Sequence, residues 1–261
     1  MPPEQRSRLI VELRERIRRL ERSHAPERRP ALPFGVAEVD RRLPGGGLAT
    51  GALHEVIGGG GDVLHAAAAT LFTAGVMARL QGPVLWCLGT RDLFAPGLTG
   101  AGLDPDRVIY AEAGDAATVL LVMEEGLRHG GLGGVVGEVG RLPMPAARRL
   151  QLAAEVSGVT AVALRRWRAR TANGSAPDEP TAAVSRWRIA TLPSAPLPAP
   201  GVGRGRWQVD LLRCRGAEAA TWNLEACDAQ GRLALAAELA DRPAAAADGW
   251  RGYGERAAIA V

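Results

Sequence analysis

The glycine run at residues 58–61 has the residue types and spacing that could bind a phosphate. It follows a predicted strand at 52–57 and precedes an Ala-rich segment that begins at Asp62. This order of strand, glycine loop and helix surrounds nucleotide phosphates in many proteins, because glycine lets the backbone come close and the helix N-terminus offers free N–H groups. The candidate phosphate loop comprises Gly58, Gly59, Gly60, Gly61, Asp62, Leu64 and His65.

The loop lacks the side chains that a functional phosphate loop uses. Counted from Gly58, the motif G-x-x-x-x-G-K-[ST] requires glycine, lysine and a hydroxyl where this sequence has Val63, Leu64 and His65. All 32 basic residues of the chain are arginine, so no lysine is available anywhere. At the helix start, the Asp62 carboxylate can cap free N–H groups and would repel a phosphate. We therefore expect a vestigial loop that admits at most a weakly held anion through its backbone amides.

The acid that would hold magnesium is also expected to be absent. It should end a later apolar strand, but Gly137 occupies that position, and Glu138 is expected to point to the opposite side of the strand. His54 and Glu55 adjoin on one strand and face opposite ways, and the other histidines have no second ligand at metal spacing. The sequence therefore predicts no catalytic residues, no metal site and no cofactor.

Arginine and tryptophan alternate in three later stretches. Positive charge beside aromatic rings neutralises phosphates and stacks bases on single-stranded nucleic acid. The nucleic-acid candidates are Arg165, Arg166, Arg168, Arg170, Arg186 and Arg188. Strand alternation offers a second interpretation for the last two, because it places Trp187 in the core and both arginines on the opposite face. The same alternation predicts a buried Trp207.

Length, composition and charge set the broad class. The chain has 261 residues, of which 47% are hydrophobic and 23% charged, and this suits one globular domain with appendages. The formal charge of +4 makes nucleic acid a plausible partner without identifying one. We expect a cytoplasmic protein, because no apolar run has the length of a membrane span and the first 22 residues interleave Glu and Arg, unlike a secretion signal.

Hydrophobic periodicity predicts the elements that position these residues. The predicted strands are 52–57, 83–88, 107–111, 134–138 and 159–164, and the predicted helices between them are 62–80, 115–128 and 145–156. Their alternation predicts an α/β fold with a mainly parallel central sheet flanked by helices. Later segments alternate polar and apolar residues, which predicts antiparallel edge strands after residue 180.

The termini are predicted to lie outside this core. Residues 1–22 predict a separate amphipathic helix, and 23–33 a proline-containing linker. The core then covers 34–235, and 236–261 is expected to be a disordered tail.

Partner-binding candidates occur in both terminal segments. They are Leu9, Leu13, Ile17 and Leu20 on one helical stripe, and Trp250 and Tyr253 in the tail. The sequence leaves two alternatives open for the helix, which either binds a partner or folds back onto its own domain.

Residues 35–58 resemble the stretch that leads into the phosphate loop of the RecA recombinase core. There, a short helix ending in leucine precedes a Gly-Gly-Leu turn, a second glycine and the first core strand. Here Pro44-Gly45-Gly46-Gly47-Leu48 is followed by Gly51-Ala52-Leu53-His54-Glu55. The similarity continues loosely to about residue 191. With the missing lysine and the glycine run, the chain looks most like the ImuA family, the RecA-like proteins of bacterial mutagenesis cassettes.

That resemblance implies a RecA-like pseudo-ATPase that acts as a non-catalytic adaptor in SOS-induced, error-prone translesion DNA synthesis. It implies two partners, an inactive Y-family polymerase homologue of the ImuB type and an error-prone replicative-type DNA polymerase. RecA and single-stranded DNA are further candidates. Two other function classes stay open: a cell-division inhibitor of the SulA type, which is also RecA-like, and a divergent DNA-dependent ATPase with a lysine-free site.

Overall fold

A nine-stranded mixed sheet forms the centre of the protein. The computed structural model describes Gln5 and residues 30–166, 179–194 and 203–236. The sheet consists of β3 (Leu53–Gly58), β4 (Val84–Leu88), β5 (Val108–Glu112), β6 (Gly134–Val139), β7 (Thr160–Arg165), β8 (Ser185–Leu192), β9 (Arg206–Cys214), β10 (Ala220–Glu225) and β11 (Ala234–Leu235). Their order across the sheet is β11-β10-β9-β8-β3-β7-β6-β4-β5.

The middle of this sheet is parallel. Strand β3 pairs in parallel with both β7 and β8, and β6 pairs in parallel with both β7 and β4. All residues of β3, β6 and β7 are buried, as expected for parallel strands covered on both faces. The carboxyl ends of these strands therefore meet at one edge, where loops can bring side chains together.

Five α-helices in the described part of residues 30–236 complete the fold. They are α1 (Ala37–Asp40), α2 (Asp62–Ala78), α3 (Ala95–Thr99), α4 (Ala116–His129) and α5 (Met144–Ser157). Residues of α2 pack with Val56, Trp86 and Trp187 on one face of the sheet. Helices α4 and α5 pack on the opposite face, in a second cluster that contains Leu53 and Cys87.

The sheet changes from parallel to antiparallel at β8. This strand runs parallel to β3 on one side and antiparallel to β9 on the other, and β9, β10 and β11 continue antiparallel. The predicted fold class is confirmed, although β8 is an interior strand and not an edge. Trp187 and Trp207 are buried, as strand alternation predicted.

The boundaries of the predicted core elements agree with the structure to within two residues. Part of the predicted linker is structured, because Ala31–Leu32 form β1, which pairs antiparallel with β2 (Leu48–Ala49). Apart from Gln5, the predicted N-terminal helix lies outside the described residues, as do Arg168, Arg170 and the tail beyond residue 236. The partner-binding candidates outside the described part are Leu9, Leu13, Ile17, Leu20, Trp250 and Tyr253. In the described ranges, no helix combines the length and the apolar character required to cross a membrane.

Candidate functional site

The glycine loop packs directly against β8. Strand β3 ends at Gly58, and α2 begins at Asp62 with Gly61 as its N-cap residue. The Gly59 N–H donates to the Ile189 carbonyl at 2.8 Å, and a Cβ added at Gly59 would lie 2.4 Å from the Ala190 Cβ. Glycine is therefore needed at position 59 for a close approach between two parts of the backbone.

The His65 imidazole lies against the same loop. A Cβ at Gly60 would be 3.1 Å from its Cδ2 atom, and one at Gly58 would be 3.2 Å from its Cβ. The Thr191 N–H donates to Nδ1 at 3.1 Å. The side chain that replaces the magnesium-binding hydroxyl thus joins the loop to β8.

Three carboxylates surround the guanidinium of Arg166 at the carboxyl edge of the sheet. Its Nε lies 3.2 Å from Asp62 Oδ2, its Nη1 lies 2.9 Å from Glu138 Oε2, and its Nη2 lies 3.0 Å from Asp92 Oδ2. These acids come from the start of α2, the end of β6 and the loop after β4, so one arginine ties together three elements that are distant in sequence. The side chain is only 13% exposed.

Glu138 lies on the face of the sheet that α2 covers, which corrects the expectation that it points to the opposite side. The strand places Glu138 on the same face as Val136, and Trp86 Nε1 donates to its Oε1 at 3.0 Å. Gly137 faces α4 instead, because a Cβ there would meet the Met123 Sδ at 2.0 Å. The strand therefore carries an acid on the face where one was expected, but at position 138 and not at 137. This acid forms an ion pair with Arg166.

The charge of Arg166 is stabilised by these neighbours. Burial by itself lowers the pKa of this guanidinium, but the carboxylates of Glu138, Asp92 and Asp62 outweigh that effect, and the pKa is raised above its ordinary value. A permanent positive charge thus occupies the space between the three acids. Within the described residues, no group of histidine, cysteine and acidic side chains has the arrangement of a metal site.

Arg165 and Arg186 form a second, buried ion-pair cluster on the opposite face of the sheet. Arg186 donates to both Glu55 oxygens, from Nε and from Nη2, at 3.2 Å each. Arg165 Nη1 lies 3.7 Å from Glu55 Oε2, and all three residues are at most 5% exposed. A guanidinium buried with its counter-charge does not reach a nucleic acid, so the structure gives both arginines an interior role.

Arg188 also forms an ion pair with a carboxylate, that of Asp210. Its Nε donates to Asp210 Oδ2 at 2.7 Å, and Gln208 and Thr221 donate to the same carboxylate. The Arg188 side chain is 38% exposed, whereas that of Asp210 is 3% exposed. Each of the four nucleic-acid candidates that the structure describes thus pairs with a carboxylate. The prediction for Arg168 and Arg170 stays a prediction.

Sequence reasoning missed several of the acids that pair with these arginines. Asp92 and Asp210 had no local signal, since an acid in a loop or on a polar strand face is ordinarily solvated. Glu138 carried a signal, an acidic residue near the end of an apolar strand, but its face was misassigned because the acid was expected at position 137, one residue too early. The arginine that joins Glu138, Asp62 and Asp92 was recognised as a candidate for a different role.

Comparisons with known proteins agree with this architecture. No family model matches the chain. Two curated relatives named Protein ImuA, from two strains of Caulobacter vibrioides, are each 40% identical over 238 residues and cover 86% of this chain and 96% of their own. A crystal structure of the RadB recombinase has a TM-score of 0.53 and 17% identity, over 79% of this chain and 100% of that chain. The latter similarity concerns the fold alone, and that fold is RecA-like.

Proposed function

The chain belongs to the ImuA family, and we propose that it acts there as a non-catalytic adaptor in SOS-induced, error-prone translesion DNA synthesis. In this role, the RecA-like core binds protein partners and does not turn over a nucleotide. The proposed partners are an inactive Y-family polymerase homologue of the ImuB type and an error-prone replicative-type DNA polymerase in the cytoplasm. RecA and single-stranded DNA are further candidates.

One observation carries the non-catalytic part of the proposal: the guanidinium of Arg166 is fixed between Asp62, Asp92 and Glu138. In a phosphate-binding loop, a cation and the helix N-terminus together attract the phosphate groups. Here the cation is already neutralised by three carboxylates, and one of them stands at the helix start itself. Mg·ATP would have to displace these ion pairs, and the chain offers no lysine to hold the β- and γ-phosphates.

Exposed apolar side chains near this site support a role in protein binding. Val63 is 99% exposed, Leu64 69% and Phe94 73%. Val63 and Leu64 follow Asp62 directly, and Phe94 is two residues from Asp92, so we call these three residues the apolar rim of the Arg166 site. Exposed apolar clusters with polar surroundings are typical of protein interfaces. We propose that this rim binds the polymerase-related partners named above.

Partner capture tests the adaptor part. The full chain, tagged, is purified from its native host after DNA damage, and bound proteins are identified by mass spectrometry. We expect the inactive Y-family polymerase homologue and the error-prone polymerase. Recovery of a tubulin-like division protein would favour the SulA-type alternative, and recovery of none of these would overturn the adaptor proposal.

A matched pair of variants tests the assignment of the rim. Leu64→Asp should reduce recovery of these partners, because it replaces an exposed apolar side chain of the rim with a charge. Leu121→Asp is the control, since Leu121 is 61% exposed on α4, away from the rim. Equal recovery with both variants would contradict the assignment.

Nucleotide binding is tested separately by thermal unfolding. A ligand at one hundred times its dissociation constant stabilises a protein by about 2.7 kcal/mol, which is readily seen as a rise in Tm. We expect millimolar Mg·ATP to leave the Tm of the full chain unchanged. A reproducible rise would favour the divergent ATPase over the non-catalytic adaptor.

A further inference from the structure

The outer face of α5 carries two apolar side chains that no described residue covers. Leu152 is 60% exposed and Val156 is 89% exposed. Because they are four residues apart on a helix, they lie on the same side and one turn apart. Their neighbours on the inner side, Leu150 and Ala154, belong to the core, so the outward pair is not needed for packing the domain itself.

The continuous described stretch of the chain begins, at Pro30, beside the C-terminal end of this helix. The Pro30 carbonyl accepts a hydrogen bond from the Thr50 N–H at 2.8 Å. The next residue, Gly51, approaches Gly158 so closely that a Cβ would lie 3.2 Å from its Cα. Gly158 is the C-cap residue of α5 and follows Val156 by two positions. Residues 1–29 therefore join the domain close to the exposed pair.

The length of chain before Pro30 is sufficient to reach along α5. The seven residues 23–29 span up to about 25 Å when extended. Helix α5 has 14 residues and is about 21 Å long. The stripe from Leu9 to Leu20 would extend for about 17 Å as a helix, which matches the length of α5.

We propose that the N-terminal segment 1–22 of this chain docks as an amphipathic helix on the outer face of α5 in the same molecule, with its leucine and isoleucine stripe against Leu152 and Val156. This selects the second of the two alternatives that the sequence left open for the stripe. The inference does not depend on the adaptor function, because it concerns the chain by itself.

Thiol labelling of the full chain tests the docking. Cysteine is introduced at the exposed position of α5 as Val156→Cys, and its reaction with a bulky maleimide is followed by peptide mass spectrometry. Val63→Cys is the matched control, since Val63 is also exposed but lies at the start of α2. The native cysteines react slowly, because burial raises the pKa of Cys87 and Cys227 to about 12 and that of Cys214 to about 11.

Each introduced cysteine is compared with itself after the stripe is disrupted by Leu13→Asp together with Ile17→Asp. We expect the disruption to speed labelling of V156C by about tenfold or more, as a site freed from a docked segment should, and to leave V63C unchanged. Unfolding curves before and after the disruption verify that the domain stays folded.

Three results would overturn the proposal. V156C that reacts equally fast with and without the stripe shows that nothing docks there. Protection that grows with protein concentration shows that the occupant belongs to a second copy. An equal acceleration at V63C and V156C shows that the stripe acts on the whole domain and not on α5.

Discussion

Replacing Arg166 by methionine should destabilise the domain by about 3 kcal/mol, because it leaves three carboxylates without their cation. Methionine keeps most of the side-chain volume, so the loss reports the charge and not a cavity. Removing one partner of a buried ion pair typically costs about 3–5 kcal/mol. The Glu138 side chain is 3% exposed, so the range for a buried pair applies to it. The Asp92 side chain is 46% exposed, and its pair with Arg166 contributes at most about 1 kcal/mol because water screens it. Remaining solvent access to Arg166 places the total near the lower limit.

Urea unfolding of the full chain at pH 7 measures this loss. The matched control is Arg91→Met, since Arg91 also pairs with a carboxylate, that of Glu112, but the two side chains are 82% and 47% exposed. We expect the control to cost less than about 1 kcal/mol. A double-mutant cycle of Arg166→Met with Glu138→Gln should give a coupling energy above about 1 kcal/mol. A cost for Arg166→Met equal to that of the control, or a coupling energy of zero, would refute the reasoning.

The dependence of this effect on pH follows from the direction of the pKa shift. The pKa of Arg166 is raised in the folded protein, so its stabilising contribution is complete below the unfolded pKa and is lost only as pH rises through the higher folded pKa. Both values lie far above neutrality, and the wild-type contribution of the Arg166 charge should be constant between about pH 5 and 9.

Three further predictions concern the elements around the site. Gly59→Ala should cost about 1–3 kcal/mol in urea unfolding, because the new Cβ would collide with Ala190, whereas Gly61→Ala has nothing within 4 Å and should cost less than about 1 kcal/mol. Arg107→Ala should lower the Tm by several degrees, because its guanidinium binds the last carbonyl groups of α2 and the turn that follows. Burial raises the pKa of Cys87 to about 12, so this thiol should resist a thiolate-selective reagent in the native state, and its contribution to the free energy of unfolding should be complete below the unfolded pKa and fall as pH rises above about 9. Rapid native-state labelling of Cys87 at pH 8 would contradict the last prediction.

The local pattern of the sequence was sufficient for the fold class. The apolar runs that became β3, β6 and β7 and the helical periods between them predicted the parallel core within two residues. Alternation also predicted that Trp187 and Trp207 are buried. These features depend on short-range periodicity, since burial on both faces of a strand or one face of a helix is encoded in a few neighbouring residues.

The roles of the charged residues were decided by contacts between elements. Arg166 reads as a nucleic-acid candidate in a basic run, but its three carboxylates come from positions 28, 74 and 104 residues away. Arg186 likewise pairs with Glu55 because β3 and β8 are neighbours in the sheet.

The sequence by itself determined that this chain has a RecA-like α/β core and a glycine loop without lysine. Only the tertiary structure decided that Glu138 lies on the α2 face of the sheet and that one arginine, Arg166, pairs with both Glu138 and Asp62. The physical reason is that strand periodicity is local, whereas the neighbour of a charge depends on which strands and loops lie side by side. The spacing of apolar residues therefore predicts which side chains are buried. Which charged side chains form ion pairs across the sheet is known only once the arrangement of the strands is known.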